Sequence, residues 1–477
     1  MNMLRTRFPP EPNGALHIGH LKAIIADFDL KLEDGKSTSS NNICNLRFDD
    51  TNPENESEEF KKSILTDLKW LGYEPAFITS TSDYFNILMV FIHTLIDNKE
   101  AYYDASTSNE LSDQRRNGFP SPYRPNEEKW NTRPYKDCCI RITIDPCHNN
   151  TCMRDPVIAR WKGNHVIPTY DLSHPIVDYL EEITHSYCTR EFFIRRELYY
   201  YIIDKYLKYN TVHMHTKIPT VVEYSRLKID GVDLSKRKII DKIESGIYTG
   251  FDDPKLFTIS GLRKRGHDAK ALIHFCKKLS YVKHDGGVTP MHMFESAIRE
   301  YYECHSIRRF GIPTDKLLSV YVKNSHLLGI TVTRPNNGNK KGIMACTVRK
   351  DIYISKDDWK EVHDKKYRRF APDRPVWIKH YGLIECLEHS KDKLVVGLIS
   401  HELNKKFKPR PTAIQWVSHE DMNNIIVYDP DTNTETNWNI DPNIPKSKVF
   451  QLERCGYYKY IDGKLNKVIG LRDKYKE

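Results

Sequence analysis

The 477-residue sequence lacks any run of eighteen consecutive apolar residues, which argues against a membrane-spanning helix. It shows no internal repeat, and its eleven cysteines contain no CxxC pair. The closest group of possible zinc ligands lacks the regular spacing of a zinc finger; it comprises Cys138, Cys139, Cys147, His148 and Cys152. We therefore expect no metal site, free thiols in a reducing cytosol, no signal or transit peptide, and a cytoplasmic protein.

Charge of one sign is only mildly in excess, because 73 Lys and Arg residues face 64 Asp and Glu residues, for a net charge of +9. An excess of this size is compatible with a polyanionic partner such as a nucleic acid, although charge alone does not establish one. The length of the chain allows about three or more compact units, each with its own hydrophobic core.

The most informative segment spans residues 7–20 and reads RFPPEPNGALHIGH. An apolar stretch from Met3 to Phe8 predicts a strand, and a Pro/Gly-rich turn follows. Apolar residues at helical spacing then predict a helix; they are Leu21, Ile24, Ile25 and Phe28. His17 and His20 share one face of its first turn, where a helix N-terminus favours phosphate. Gly19 would let a ligand approach the backbone, so the segment predicts a triphosphate site.

A second strand, predicted from Ile43 to Phe48, is followed at once by Asp49, and a helix is predicted from Ser57 to Leu71. Strands that alternate with helices are typical of a parallel α/β sheet. Ligands of such sheets bind at the carboxyl ends of the strands, where both His17 and Asp49 fall.

Changes in composition divide the chain into five predicted regions. These are the first half of the α/β domain (1–99), an inserted domain rich in Tyr, Arg, Asn and Pro (100–165), the second half of the α/β domain (166–225), a helical region (226–310) and an all-β region of one or two barrels (311–477). The second half is expected to resume with a returning strand over residues 166–170.

A second motif, Ser235-Lys236-Arg237-Lys238, lies far downstream of the two histidines. In this order, the two segments resemble the HIGH and KMSKS signatures of class I aminoacyl-tRNA synthetases, and the PEPNG lead-in resembles the glutaminyl/glutamyl subclass. Other blocks extend the resemblance over almost the whole chain, including residues 45–53, 168–171, 183–189 and 450–457. The resemblance implies an α/β Rossmann-type catalytic domain with an inserted acceptor-binding domain, a helical connector and C-terminal β-barrels that bind the anticodon.

The resemblance also implies roles for individual residues. Arg7 and Asp49 would bind the carboxylate and the ammonium of the amino acid, and these side chains suit those groups chemically. Tyr170 would line the side-chain pocket, and His17, His20 and Lys236 would act on the phosphates during catalysis. The residues expected to border ATP are Glu11, Pro12, Asn13, His17, Ile18, Gly19, His20, Leu21, Lys22, Ala23, Thr189, Arg226, Leu227, Leu234, Ser235 and Lys236.

The substrates implied are ATP with Mg²⁺, an amino acid and a tRNA. The carboxylate of the amino acid itself attacks the α-phosphate, so the protein needs no nucleophile, and no carboxylate cage for Mg²⁺ is evident. Gln451 and Arg454 match anticodon contacts of the family. A monomer is expected from the same resemblance.

Glutamine and glutamate are distinguished by charge. Glutamate requires a cation in the pocket, whereas an unpaired buried arginine would be costly beside the neutral amide of glutamine. Glutamyl enzymes of the eukaryotic and archaeal type typically have Arg where this chain has Cys188, so the sequence favours L-glutamine and tRNA(Gln). Three positions depart from the family pattern, and they are Val221, Asp233 and Ile194.

Three alternatives remain open at this point. The first is a glutamyl-tRNA synthetase, the second is a truncated relative that glutamylates a modified tRNA base, and the third is an inactive paralogue that only binds RNA. The β-rich residues 316–477 argue against the truncated relative, which lacks an anticodon domain. The intact residues of both motifs argue against the inactive paralogue; they are His17, His20, Ser235 and Lys236.

Overall fold

The structure is a computed structural model that describes residues 4–29, 42–51, 57–125, 138–162, 165–210, 217–279, 287–324, 331–335, 343–347, 349–363, 365–401 and 411–471. Met3, the first residue of the first predicted strand, lies outside these ranges. The chain divides into two compact units, Met1–Ile240 with Leu279–Thr289, and Asp241–Lys278 with Pro290–Glu477. Across the described residues, no helix combines the length and the apolar character that crossing a membrane requires.

The first unit alternates strands and helices, as the apolar periodicity predicts. Its described elements are β1 (Arg5–Phe8), α1 (Ile18–Phe28), β2 (Ile43–Phe48), α2 (Glu58–Leu71), β3 (Ile78–Ser80), α3 (Phe85–Asp97), β4 (Ala101–Asp104), α4 (Ser108–Asn117), β5 (Cys139–Ile142), β6 (Val157–Lys162), β7 (His165–Pro168), α5 (Tyr170–Leu180), β8 (His185–Thr189), α6 (Arg196–Tyr209) and β9 (Thr220–Tyr224). Helix α7 (Lys236–Glu244) follows β9 along the chain.

Strands β1, β2 and β3 pair in parallel, with Arg7 opposite Asn45 in the register. Strand β8 lies beside β1, because the Thr184 N–H donates to the Arg5 carbonyl at 2.8 Å, and β8 pairs in parallel with β9. The spatial order is therefore β3-β2-β1-β8-β9, a doubly wound arrangement. This confirms the predicted α/β fold and brings the carboxyl ends of β1, β2 and β8 to one edge.

An antiparallel sheet interrupts the parallel one at the position of the predicted insertion. In the described residues its strands follow chain order, β4-β5-β6-β7, and span Ala101 to Pro168. The returning strand predicted over residues 166–170 is present as β7, but it pairs with β6 instead of joining the parallel sheet. That placement was wrong because a short apolar strand does not reveal its partner. The chain returns to the parallel sheet through α5 and β8.

A large apolar core joins helices α3, α5 and α6 to the antiparallel sheet. Its fully buried members include Leu88, Ile92, Ile176 and Ile202. Burial of a side chain of this kind stabilises a fold by about 1.5–3 kcal/mol relative to exposure. The core therefore holds helix α5 in place, and other residues of the same helix supply polar side chains to the site.

The second unit contains helices followed by strands, as predicted. Its described elements are α8 (Ile259–Arg265), α9 (Ala269–Lys278), α10 (Met291–His305), β10 (Arg308–Arg309), β11 (Gly311–Pro313), β12 (Leu317–Val322), β13 (Thr331–Pro335), β14 (Ile343–Thr347), β15 (Asp351–Ser355), β16 (Val376–Ile378), β17 (Gly382–His389), β18 (Lys393–Ser400), β19 (Ala413–Ile414), β20 (Val417–Ser418), β21 (Asn423–Asp429), β22 (Thr434–Ile440), β23 (Phe450–Leu452), β24 (Gly456–Ile461) and β25 (Lys464–Gly470).

The described strands of this unit form a pair of seven-stranded sheets and one separate hairpin, β13-β14. The sheet orders are β10-β23-β24-β25-β21-β22-β11 and β19-β16-β17-β18-β12-β15-β20. The edge strands β10 and β11 of the first sheet are separated in the chain by Phe310 alone, so that sheet curls until its edges approach each other. The predicted all-β region is confirmed.

Candidate active site

Helix α1 begins at the two predicted histidines, which cap its first turn. His17 is the N-cap residue, and its Nδ1 accepts a hydrogen bond from the Gly19 backbone N–H at 3.0 Å. His20 Nδ1 accepts from the His17 N–H at 3.1 Å. The two bonds form a reciprocal capping box in which imidazoles replace the usual hydroxyl and carboxylate. The ring centroids lie 3.8 Å apart.

Both imidazoles are neutral at pH 7. Burial, followed by the neighbouring His20 and Arg226, lowers the pKa of His17 to about 2. Burial and then Arg226 lower the pKa of His20 to about 4. Because Nδ1 of each neutral ring accepts a hydrogen bond, we assign the proton to Nε2. Each ring can therefore donate from Nε2 to a ligand oxygen beside a helix N-terminus that favours anions.

Gly19 is required by the capping imidazole. A Cβ at this position would lie 2.8 Å from His17 Cε1 and 2.9 Å from His17 Nδ1. Cβ atoms do not approach other atoms so closely, so the glycine makes room for the His17 ring. The approach of a ligand to the backbone at Gly19 stays a prediction.

Lys236, at the start of α7, extends over the turn that precedes α1. Its Cδ would lie 3.2 Å from a Cβ at Gly14, and its Nζ lies 5.5 Å from the centroid of the Phe60 ring. Burial lowers the pKa of Lys236, although the Glu11 carboxylate opposes this shift. Glu11 itself accepts a hydrogen bond from the Asn13 amide. The two sequence motifs therefore meet at the Gly14 turn, as the resemblance implied.

Asp233, two residues before the second motif, is paired with Lys238. Its Oδ1 lies 3.4 Å from Lys238 Nζ, so the negative charge that would oppose phosphate binding is compensated. Arg226 is exposed, and its Nη1 lies 3.6 Å from the Glu191 carboxylate. The remaining predicted residues on this side are at least partly exposed; they are Asn13, Ala23, Thr189, Leu234 and Ser235.

Several residues predicted at the ATP site are buried in the protein. Only backbone atoms could reach a nucleotide from Pro12, Ile18, Leu21 and Leu227. Lys22 is 3% exposed, and its Nζ donates to the Ser225 carbonyl at 2.7 Å and to the Ser225 hydroxyl at 2.9 Å. Its ammonium therefore anchors the loop after β9, and any contact of Lys22 with ATP is left to its backbone.

Arg7 is 1% exposed, and its guanidinium is bound within the protein. Nε donates to Asp178 at 3.1 Å, Nη1 to the Tyr187 carbonyl at 2.8 Å, and Nη2 to the Ser186 hydroxyl at 2.8 Å. Burial raises the pKa of Asp178, but Arg7 and Arg47 lower it by more, so Asp178 is charged. Arg7 thus ties β1 to α5 and β8. The binding of a substrate carboxylate by Arg7 stays a prediction, because Nη1 and Nη2 each carry a second N–H beyond the bonds described.

Asp49 ends β2 as a buried carboxylate. Its Oδ2 lies 3.3 Å from His174 Nε2, and its Oδ1 accepts from the Thr51 hydroxyl at 3.0 Å. Burial raises the pKa of Asp49, but the hydrogen bonds from His174 and Thr51 lower it to below its usual range. Burial lowers the pKa of His174 in spite of the carboxylate beside it. Asp49 is therefore charged and incompletely compensated, as a site for an ammonium group should be.

A cavity open to solvent is lined by the two residues predicted for the side-chain pocket, Tyr170 and Cys188. The Tyr170 ring packs against His174 with 3.8 Å between centroids, so the cavity wall is in contact with the partner of Asp49. Burial raises the pKa of Cys188 to about 12, which keeps its thiol neutral. The other lining residues are Asp171, Pro175, Ser186, Phe192, Arg195, Arg196, Tyr199 and Val221.

The cavity also contains two arginines that the sequence did not single out. Arg195 binds both carboxylate oxygens of Asp171, and Arg196 donates Nε to Glu223 Oε1 at 2.7 Å and Nη2 to the other oxygen. Partners 24 and 27 residues apart cannot be paired by pattern in a single sequence. His174 and Asp178 were missed for the same reason, since only the packing of α5 against the strand ends reveals them.

The two predicted anticodon residues lie in the second unit, around the turn between β23 and β24. Gln451 is 7% exposed, and its Nε2 lies 3.5 Å from the Tyr457 hydroxyl. Arg454, whose φ is +66°, donates to both oxygens of the buried Asp358 at 2.7 and 2.8 Å. These bonds leave further polar groups on both side chains, namely Gln451 Oε1 and the remaining N–H groups of Arg454, and the anticodon role stays a prediction.

Metal ligands are not clustered in the part of the chain that the structure describes. There, no group of three or more His, Cys, Asp or Glu side chains could hold a metal ion. Of the cysteines between residues 138 and 152, Cys147 is exposed and the others are buried.

Known tRNA synthetases are similar to this chain over most of its length. Residues 3–302 match the family described as tRNA synthetases class I (E and Q), catalytic domain. The chain is 34% identical to the glutamine–tRNA ligase of Buchnera aphidicola subsp. Schizaphis graminum, over 87% of this chain and 77% of that protein. It is 31% identical to the glutamine–tRNA ligase of Idiomarina loihiensis, over 99% of this chain and 93% of that protein. A probable glutamine–tRNA ligase of Vairimorpha ceranae is 35% identical over 89% of this chain and 62% of that protein. The chain therefore belongs to the class I tRNA synthetases of the E and Q family, on its glutamine–tRNA ligase branch.

Proposed function

We infer that this chain joins L-glutamine to the 3′-terminal adenosine of tRNA(Gln), with consumption of ATP and release of AMP and pyrophosphate. The observation that carries the inference is the similarity to glutamine–tRNA ligases, which in one relative extends over 99% of this chain. The cavity supports glutamine over glutamate, because Cys188 is neutral and both lining arginines are bound to carboxylates.

The reaction needs no nucleophile from the protein. A carboxylate oxygen of glutamine attacks the α-phosphorus of ATP, the bond to the bridging oxygen breaks, and pyrophosphate leaves with that electron pair. A ribose hydroxyl of the terminal adenosine then attacks the carbonyl carbon of the glutaminyl-adenylate, loses its proton and displaces AMP. The protein contributes alignment of the reactants and stabilisation of charge on the phosphates.

The first turn of α1 is the proposed site of phosphate stabilisation. His17 and His20 would donate from Nε2 to phosphate oxygens as neutral imidazoles, so no change of protonation is required of them. Lys236 would supply the positive charge, because its side chain reaches the Gly14 turn immediately before the helix. The glycine-bearing turn itself allows the lysine to pass close to the backbone.

The proposed amino-acid site combines a charged and a neutral part. Asp49 would accept the substrate ammonium, and Tyr170 and Cys188 would line the space for the side-chain amide. Arg7 would act as a positioning residue, since its bonds to Asp178 and Ser186 hold the strand ends that border the cavity. Arg7 would also bind the substrate carboxylate, as the family resemblance implies, through the second N–H that Nη1 and Nη2 each carry.

The reaction would also require Mg²⁺ and tRNA(Gln). Magnesium would arrive with the triphosphate, and we assign it no protein ligand, because the described residues offer no cluster of ligating side chains. The second unit, including Gln451 and Arg454, would contact the anticodon of tRNA(Gln). The enzyme would act as a monomer in the cytoplasm.

The decisive experiment is aminoacylation of total tRNA with labelled glutamine and labelled glutamate, measured side by side. We expect charging with glutamine at a rate well above that with glutamate. Charging with glutamate at an equal or higher rate would establish the glutamyl alternative. Binding of tRNA without charging by either amino acid would establish an inactive RNA-binding paralogue.

A further inference from the structure

The amino-acid cavity contains two arginines, although a neutral amide needs no cation beside it. Left unpaired, each guanidinium would attract the carboxylate of glutamate. We propose that Glu223 and Asp171 determine the preference for glutamine by neutralising Arg196 and Arg195 at the cavity wall. The inference rests on the proposed function and assigns the source of its substrate choice.

The Arg196–Glu223 pair lies beside the residue that distinguishes the two branches of the family. In the parallel pairing of β8 with β9, Glu223 is the register partner of Cys188. Arg196, at the start of α6, donates two N–H groups to the two carboxylate oxygens of Glu223. The side chain of Glu223 is 13% exposed and that of Arg196 is 39% exposed, so the carboxylate is the more buried partner. Glu223 thereby occupies two N–H groups of Arg196 that could otherwise bind a free anion.

The Arg195–Asp171 pair repeats this arrangement on different elements. Asp171 lies in the first turn of α5, and Arg195 ends the short helical segment Arg190–Arg195 that follows β8. Both residues line the cavity, and Arg195 Nη1 binds both oxygens of Asp171. The two pairs share no residue, so each can be released independently of the other.

The charges of the two ion pairs cancel. The lining residues Arg195, Arg196 and Asp171, together with Glu223, which is bound to Arg196, carry two positive and two negative charges. The other ionisable lining groups are Tyr170, Tyr199 and Cys188, whose pKa values are all raised by burial, so they are neutral. A glutamate side chain entering the cavity would therefore lose its hydration without gaining an unpaired cation. Partly exposed ion pairs contribute little to stability, so loss of either pair should alter the charge that faces the substrate more than it alters the folding of the chain.

The test compares Glu223→Gln and Asp171→Asn with the unmodified chain. For each protein, kcat/KM is measured for glutamine and for glutamate with the same tRNA(Gln) preparation. We expect the glutamine-to-glutamate ratio to fall about tenfold in each variant, below the full effect of an unpaired buried charge because the arginines are partly exposed. The double variant Glu223→Gln/Arg196→Gln should recover the original ratio, since it removes the released cation.

The matched control is Glu300→Gln, which releases Lys278 from an exposed ion pair in the second unit and should leave the ratio unchanged. An unchanged ratio in both folded test variants overturns the proposal. So does a ratio that stays low in the double variant, because the carboxylate itself would then be responsible. If thermal melting shows that Glu223→Gln is unfolded, Asp171→Asn decides alone. Failure of the proposed function is distinguishable, because it shows in the unmodified chain as an absence of preference for glutamine.

Discussion

His174 Nε2 lies 3.3 Å from Asp49 Oδ2, and this contact joins helix α5 to the end of strand β2. The Tyr170 ring packs against the same imidazole, at 3.8 Å between centroids. In the described residues, His174 Nδ1 has no hydrogen-bond partner, so Nε2 carries the one polar contact that orients the ring. The carboxylate proposed to bind the substrate ammonium is thus held by a residue that contacts Tyr170 in the wall of the amino-acid cavity.

Replacement of His174 should weaken binding of the amino acid more than it slows the chemical step. His174→Leu removes the donor that orients Asp49, so we expect the KM for glutamine to rise about tenfold with kcat little changed. His174→Asn retains an N–H donor, so its KM for glutamine should lie between those of the unmodified chain and of His174→Leu. A fall in kcat alone, with KM unaffected, would contradict the positioning role.

Loss of the capping imidazole should slow amino-acid activation. We expect His17→Ala to reduce the rate of ATP–pyrophosphate exchange by roughly 10²–10³-fold, the usual effect of removing one transition-state donor. The measurement is made with tRNA(Gln) present. His17→Asn is the matched variant, because Asn caps helices well but cannot place a donor at the position of Nε2. Exchange at the original rate in His17→Ala would rule out the role.

Gly19→Ala should impair the same step without touching a ligand. The new methyl group would lie 2.8 Å from His17 Cε1, so the imidazole must leave its capping position. Displacement of a catalytic group by about 1 Å can cost roughly 10²-fold in rate. Gly287→Ala is the control, since a Cβ at Gly287 meets nothing within 4 Å. Equal exchange rates in the two variants would show that the close approach at Gly19 is tolerated.

The two neutral histidines should make stability depend on pH. At pH values above the ordinary pKa of 6.5, His20 is neutral in both states and contributes no dependence. Between pH 6.5 and about 4, the unfolded chain binds a proton at His20 that the folded chain does not, so the free energy of unfolding falls as pH falls. His20→Gln keeps a capping-box residue but does not titrate. Urea unfolding at pH 7, 6 and 5 should show a smaller decrease for this variant than for the unmodified chain.

Arg454→Ala should destabilise the second unit even without RNA. The substitution leaves the buried carboxylate of Asp358 with Arg369 as its remaining cationic contact in the described residues. We expect a loss of about 1–3 kcal/mol in the free energy of unfolding, measured by denaturant titration. The double variant Arg454→Ala/Asp358→Asn should recover part of it. If the double variant also recovers the KM for tRNA, Arg454 acts through the fold; an unrecovered KM would indicate direct contact with RNA.

The parts of this structure that could be predicted are those governed by local pattern. Helix α1, strands β1 and β2 and the β-rich second unit follow from apolar periodicity and turn residues, and the sequence order of the two motifs indicates that they meet. The structure confirms that Lys236 reaches the turn before His17. Cys188 and Tyr170 line one cavity, as the resemblance implied.

The parts that could not be predicted depend on contacts between distant residues. The bonds of Lys22 to Ser225 and of Arg7 to Asp178 join residues 203 and 171 positions apart, which a single sequence does not pair. The contact of Gly19 with the His17 ring could not be predicted either, because the rotamer of that imidazole is set by the cap and a sequence pattern contains no rotamers. Strand β7 was assigned to the wrong sheet because its own residues do not specify a partner.

The bonds of Asp178 have a consequence for synthesis on the ribosome. Arg7 and Arg47 lie on the first two strands, and the same carboxylate compensates both of them from helix α5. Until that helix has emerged, association of β1 with β2 would bury both guanidinium groups without the carboxylate that binds them in the folded chain, which is unfavourable. Early completion of the first sheet is therefore disfavoured in the nascent chain, and a fragment that ends before Asp178 should remain a substrate for chaperones and proteases.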